Sequence, residues 1–384
     1  MRCEWKEITI GELGTIITGK TPTTKKSEYW GGKVPFVTPK DLQGTKHIVR
    51  TERFITDMGM ENVKGSKLPP DAICVSCIGN IGYVGMTTKN CISNQQVNSI
   101  IVNQNHDADF IYYLMKSLWT FFKNYEGQST TLSILNKTQF SRIKIKVPQL
   151  KIQKEIAGIL SYLDDKIELN NKINENLEQQ AQVIYQEWFG NVGEAKKQGI
   201  LSDICVYSKE KVSVSDLDVS TYFSTENMLP GKVGATEASS LPTTAQTTAC
   251  HMGDTLISNI RPYFKKIVYC HEECGCSTDV LCFVPQQPKY SAYLYSTLYA
   301  DKFFEFMVAG SKGTKMPRGD KQQIMTYPIV LPSDNALESF NSVAIPIFSQ
   351  IQNNRSENKR LALLRDTLLP KLMSGEVDVD GVHL

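Results

Sequence analysis

Residues 146–189 read KVPQLKIQKEIAGILSYLDDKIELNNKINENLEQQAQVIYQEWF, and residues 330–373 read VLPSDNALESFNSVAIPIFSQIQNNRSENKRLALLRDTLLPKLM. Laid one over the other, every position maps by adding 184, with no gap. Pro148 meets Pro332, Ile167 meets Ile351, Asn170 and Asn174 meet Asn354 and Asn358, and Leu177 meets Leu361. Steps of four and three in the first copy pick out Ile156, Leu160, Leu163, Ile167, Asn170, Asn174, Leu177, Ala181, Ile184 and Trp188. In the second they pick out Phe340, Ala344, Ile347, Ile351, Asn354, Asn358, Leu361, Arg365, Leu368 and Leu372. Such a seam, held over four heptads, predicts a long coiled-coil helix rather than a surface helix on a globular core. Roughly 35 to 40 residues at about 1.5 Å each make rods of about 55–60 Å.

The seam asparagines fall near the middle of each rod, and in an antiparallel pair the middles meet. Asn170 would then face Asn358, and Asn174 would face Asn354. A buried amide without a polar partner costs roughly 1–3 kcal/mol, so one register satisfies all four. Arg365 breaks the apolar pattern and calls for snorkelling or an acidic neighbour. An antiparallel pair also carries the chain out along one rod and back along the other, giving a dumbbell with a pseudo-two-fold axis.

Working outward, the segments before each rod repeat more loosely. DAICVSCIGNIG at 71 parallels DTLISNIRPYFK at 254, and SNQQVNSIIV at 93 lies near CSTDVLCFVP at 276. Two copies of a two-part unit result. The expected organisation is a globular domain at 1–148, a helix at 149–190, a second globular domain at 191–333, a second helix at 334–377 and a tail at 378–384. Short β-rich runs such as AICVSCI, NSIIVN and KIVYC, with helices around FIYYLMKSLWTFFKNY and YLYSTLYADKFFEFM, give an α+β class. Formal charge divides unevenly, +7 over 1–148, −3 over 149–190, 0 over 191–333 and −2 over 334–384. A polyanion would meet the first and third pieces rather than the helices.

Composition narrows the classes further. At 384 residues the chain is long enough for two or three cored domains. No run of eighteen apolar residues exists, and MRCEWKEITIGE lacks the apolar run of a signal peptide. The expectation is a cytoplasmic protein without membrane partners, whose ten cysteines stay reduced. CHEECGC at 270–276, with Cys250, His251 and Cys282 nearby, offers a C-x-x-x-C-x-C spacing. That is poorer than two zinc knuckles, so buried thiols are the favoured reading and a structural zinc the alternative.

Catalytic patterns are sparse. GTIITGKT at 14–21 spells G-x-x-x-x-G-K-[ST], yet Thr15, Ile16, Ile17 and Thr18 are all β-branched, and no helical spacing follows Pro22. A strand and turn fit better than a phosphate-cradling nest. The five histidines are dispersed, and neither G-x-S-x-G nor an amino-methyltransferase N-P-P-[YF] occurs. No catalytic residue and no metal ligand is assigned. Polar and basic loops are better represented. Lys20, Thr21, Thr23, Lys25 and Lys26 lie in the opening stretch; Gln128, Ser129, Thr130, Thr131, Asn136 and Lys137 precede the first rod. Arg261, Tyr263, Lys265 and Lys266 lie in RPYFKK; Lys312, Lys315, Arg318 and Lys321 precede the second rod. Arg, Lys, Gln and Asn reach base edges, while Ser, Thr and Lys hold phosphates, so these sets are candidate DNA contacts.

At these residues a family resemblance emerges. EYWGGKVPFVTPKDL (28–42), ISNQQVNSI, TYFSTENMLPGKVG, DTLISNIRPYFKK, STDVLCF and KGTKMPRGDK resemble target-recognition domains of the specificity subunit of type I restriction-modification systems. PQLKIQKEIAGILSYLDDKI resembles that family's spacer helix. The resemblance covers the whole chain. It implies a non-catalytic subunit in which each globular domain reads one half of a split target in double-stranded DNA, while the helices fix the gap. It further implies two methyltransferase subunits docked on the helices and two restriction subunits driving translocation. S-adenosylmethionine, ATP and Mg would then belong to those partners, with no cofactor in this chain. The other readings are a coiled-coil scaffold with protein-binding arms, and a nucleotide-binding enzyme using Lys20 and Thr21.

Overall fold

The computed structural model describes residues 5–44, 46–127, 133–190, 197–377 and 379. The chain divides into two compact units, one made of Met1–Asn170 with Glu357–Leu384 and the other of Asn171–Ser356. Each unit therefore contains a globular domain and one stretch from each of two long helices, Leu150–Tyr185 and Asp334–Ser374. The class is α+β, with the same architecture built twice.

In the first unit a five-stranded sheet runs in the order Gly14–Thr18, Val97–Val102, Ile73–Ser76, Val84–Thr87, His47–Ile48. A four-stranded sheet runs Arg53–Ile55, Trp30–Val37, Cys91–Ser93, Lys67–Leu68, and Lys6–Thr9 pairs with Lys144–Val147. The second unit repeats this plan. One sheet runs Cys205–Tyr207, Val280–Pro285, Thr255–Ser258, Ile267–Tyr269, the other Lys211–Ser213, Gln246–Cys250, Cys274–Cys276, Tyr222–Phe223. Gln198–Ile200 pairs with Pro328–Val330 just ahead of the second long helix, as Lys144–Val147 precedes the first.

Each aromatic run folds as two consecutive helices. These are Ala108–Ser117 and Trp119–Gly127 in the first unit, Ser291–Tyr299 and Asp301–Ala309 in the second. Asp107 starts the first of them by accepting from the Phe110 N–H at 2.9 Å, satisfying a donor the helix leaves open. Phe110, Tyr112 and Tyr113 pack with Ile156, Leu160 and Leu372, so the domain core and the two helix stretches of that unit form one hydrophobic body. Tyr293, Phe303, Ala181, Phe340 and Ala344 do the same in the second unit.

Along the seam, Ile156, Leu160, Leu163, Asn170, Asn174, Ala181, Phe340, Ala344, Ile351, Asn354 and Leu372 are buried. The heptad steps mislead at one end. Ile184 is only half-buried and Trp188 stays 36% exposed, while Tyr185 and Phe189 are buried. The backbone widens into a π-turn over Gln186–Gly190, which shifts the inward face by one residue. Tyr185 and Phe189 there meet Tyr293 and Phe340 with ring centroids 4.8–6.3 Å apart. Arg365 is accommodated by charge: its Nη1 lies 2.5 Å from Asp164 Oδ1, and Tyr113 donates its hydroxyl to the other Asp164 oxygen at 2.7 Å.

Candidate nucleic-acid interface

Both units build their exposed loop surface by the same backbone contacts. In the first, the segment after strand Ile73–Ser76 bridges to the segment leading into Asn136, with Ile78 opposite Ile134. Gly79 N–H donates to Ser133 O at 3.1 Å, Leu135 N–H to Cys77 O at 2.8 Å, and Cys77 N–H to Gln96 O at 2.7 Å. In the second unit Ile260 stands opposite Arg318. Arg261 N–H donates to Pro317 O at 2.8 Å, Gly319 N–H to Asn259 O at 3.3 Å, and Asn259 N–H to Asp279 O at 2.8 Å. Three loops are thus joined in each unit, and Gly79 corresponds to Arg261, Ile134 to Arg318, Gln96 to Asp279.

Two candidate sets from the sequence come together in the second unit, 261–266 and 312–321. Their charges are largely committed. Arg318 Nη2 lies 2.9 Å from Asp279 Oδ1, and Lys312 Nζ lies 2.6 Å from Asp320 Oδ2. Lys265 and Lys232 share Asp301 Oδ1 at 2.7 and 2.8 Å, which holds that carboxyl down at about 2. Lys266 donates to Thr225 O at 2.6 Å, and burial pulls its ammonium pKa below the usual range. Lys315, Lys321 and Tyr263 are exposed, Tyr263 by 50% and stacked on Phe264 at 4.8 Å.

In the first unit Thr21 donates to Gln95 Oε1 at 2.6 Å, which ties the opening stretch to the loop containing Gln96. Lys20, Thr23, Lys25 and Lys26 are exposed; Lys26 lies 3.6 Å from Glu28 and 5.2 Å over the Tyr29 ring. Asn136 is committed to structure: its Oδ1 accepts from Gln139 N–H at 2.9 Å, capping the short helix that begins at the exposed Lys137. Gln128, Ser129, Thr130 and Thr131 lie outside the described residues. Gln95, Gln96, Asn259 and Asp279 were not singled out from the sequence. Overlaying SNQQVNSI on CSTDVLCF puts Gln96 on Asp279, and that alignment was the available signal.

The GTIITGKT stretch forms strand Gly14–Thr18 followed by a turn, and the next helical turn is Ser27–Tyr29. Gly19 is required because a Cβ there would come 2.1 Å from the Asn94 carbonyl, a packing reason unrelated to phosphate. Cys250, Cys270, Cys274, Cys276 and Cys282 are buried free thiols in one hydrophobic cluster, with Cys274 Sγ 3.6 Å from Cys270 Sγ. Among the described residues no group of His, Cys, Asp and Glu is arranged to hold a metal ion. Nor is any helix among them long and apolar enough to cross a membrane.

Two α+β units, each containing a stretch of both long helices and each presenting a bridged loop surface, define a duplicated two-domain architecture. Residues 3–179 match the family described as type I restriction modification DNA specificity domain. The chain is 26% identical to the type I restriction enzyme MjaIX specificity subunit of Methanocaldococcus jannaschii, over 98% of this chain and 94% of that one. It is 33% identical to the HindI specificity subunit of Haemophilus influenzae over 44% of this chain and 39% of that one. In fold it is similar to the type I restriction-modification S subunit of M. genitalium, with TM-score 0.61 and 17% identity over 97% of this chain and 96% of that one. The chain is thus similar over nearly its whole length to a specificity subunit of a type I restriction-modification system, and its first half matches the family's DNA specificity domain.

Proposed function

We propose that this chain is the non-catalytic DNA-recognition subunit of a type I restriction-modification complex, reading a two-part target in duplex DNA. The observation that carries the reading is the bridged loop surface repeated in both units, Ile78 opposite Ile134 and Ile260 opposite Arg318, with basic side chains around it. Each unit reads one half-site, and the two long helices, which contain residues of both units, set the unread gap. The helices carry exposed apolar side chains, Tyr162 at 59%, Leu169 at 51% and Leu363 at 71%, that suit docking of methyltransferase subunits. Two such subunits and two translocating restriction subunits complete the assembly. S-adenosylmethionine, ATP and Mg are assigned to those partners, and the site of action is the cytoplasm.

The test is to co-express the chain with its methyltransferase partner in a methylation-free host and map modified adenines across the genome. A two-part motif with a fixed gap, lost when the chain is omitted, is the expected result. A stable complex that modifies no motif would favour a scaffold with protein-binding arms.

A further inference from the structure

The two loop surfaces share a backbone but differ at one informative position. Gly79 lies at φ 75°, and its counterpart Arg261 lies at φ 50°. Further along the same loops Gly82 lies at φ 97° and Lys265 at φ 51°. The first unit fills both left-handed positions with glycine, which adopts them without a Cβ penalty. The second fills them with basic residues that bear the strain. Lys265 has a local reason, its ion pair with Asp301 at 2.7 Å. Arg261 has none, since its side chain makes no hydrogen bond or ion pair among the described residues. Its Nε is buried without an acceptor, and Asn259, 7% exposed in the same loop, buries an unpaired Oδ1. Strain together with an unmet donor and an unmet acceptor marks a position kept for what it binds rather than for the fold.

Its surroundings fix what that ligand is. Arg318 is held by Asp279 at 2.9 Å, Lys312 by Asp320 at 2.6 Å and Lys266 by Thr225 O at 2.6 Å. Arg261 is the guanidinium of this surface left uncommitted, in a half-buried setting that restricts its swing. A planar fork of donors held in one orientation matches the O6 and N7 acceptors of guanine in the major groove, whereas phosphate contacts need only a mobile charge. Resting on the DNA-recognition reading above, we propose that Arg261 determines specificity in the second unit by reading a guanine. The first unit has no such contact at this position, because Gly79 has no side chain to make it.

The test is adenine-methylation mapping with the full chain and its methyltransferase partner, comparing wild type with Arg261→Gly and Arg261→Lys. Arg261→Gly restores the residue the first unit uses and relieves strain, so folding is preserved, as thermal unfolding will check. The expected result is a motif in which one G·C position of one half-site becomes degenerate, with discrimination there reduced about 5- to 150-fold. The other half-site and the gap stay unchanged, and Arg261→Lys loses most of the same discrimination because lysine cannot make the paired contact. An unchanged motif in Arg261→Gly overturns the assignment. So does a uniform fall in methylation at every site without a change of motif, which would mark a phosphate contact. A wild-type chain that directs no methylation overturns the DNA-recognition reading itself, and this assignment with it.

Discussion

Asn354 donates its Nδ2 hydrogen to Asn174 Oδ1 at 2.8 Å, both side chains being 6% exposed between the long helices. Asn170 donates to Asn358 Oδ1 at 2.8 Å, and also to Glu357 at 2.7 Å. Each pair satisfies amides that the apolar seam would otherwise strand. Changing Asn174 alone to Leu leaves Asn354 short of a partner and should cost roughly 1–3 kcal/mol. The double change Asn174→Leu, Asn354→Leu should recover most of that loss. Denaturant unfolding in a double-mutant cycle measures the coupling, and additive single effects would contradict it.

Arg365 sits in the seam at 15% side-chain exposure against Asp164 at 6%. Asp164→Ala removes the buried carboxylate that both Arg365 and Tyr113 contact, leaving the half-buried cation only the exposed Asp366 at 2.8 Å. A loss of roughly 3–5 kcal/mol is expected. Replacing both residues with Leu should restore stability to near wild type, because the paired charges offset their own desolvation rather than adding much beyond it. Chemical unfolding of the single and double variants checks this. A double variant as unstable as Asp164→Ala would refute it.

His47 gives the first unit a pH dependence. Its Nδ1 lies 3.1 and 3.2 Å from the two oxygens of Glu168 on the long helix. That contact raises the imidazole pKa against the opposing effects of burial and of Lys46, with Asp165 adding a smaller upward push. A raised folded pKa means the stabilisation is fully present below the unfolded value of about 6.5 and disappears as pH rises through the folded value. Thermal stability should therefore lose this contribution as pH rises from about 6.5 through the raised folded value. The difference in Tm between wild type and Glu168→Gln, taken across that range, should shrink with rising pH. A constant difference would show that the contact is not charge-dependent.

Affinity for DNA should be strongly salt-dependent. The phosphate contacts expected of Lys20, Lys25, Lys137 and Lys315, all exposed, each add close to one unit to the slope of log K against log salt. Lys315→Ala should reduce that slope by about 1 with no change in the preferred sequence. Filter binding of the chain with its methyltransferase partner, across a salt series, provides the measurement.

The long helices were legible because their pattern is local: a seven-residue repeat carries its own period, and the offset of 184 shows it twice. Where the seam failed, at Ile184 and Trp188, the inward face shifts through a π-turn and the partner becomes the domain core, which no heptad count contains. The loop surface was half legible. Basic residues can be read from the chain, but the ion pairs that commit them cannot. Arg318 meets Asp279 and Lys265 meets Asp301 only after the sheets have formed. The left-handed backbone at Arg261 was equally hidden, since the usual signal for that conformation is a glycine.

The proposed reading of two half-sites by two units, with the gap set by the helices, can be isolated by experiment. Its most direct test is to delete one heptad from each long helix and map adenine methylation in the co-expressed complex. Seven residues shorten a helix by about 10 Å, close to three base pairs of duplex at about 3.4 Å each. A motif with both half-sites intact and a gap shorter by about three base pairs is the expected result. An altered half-site with the original gap would contradict it.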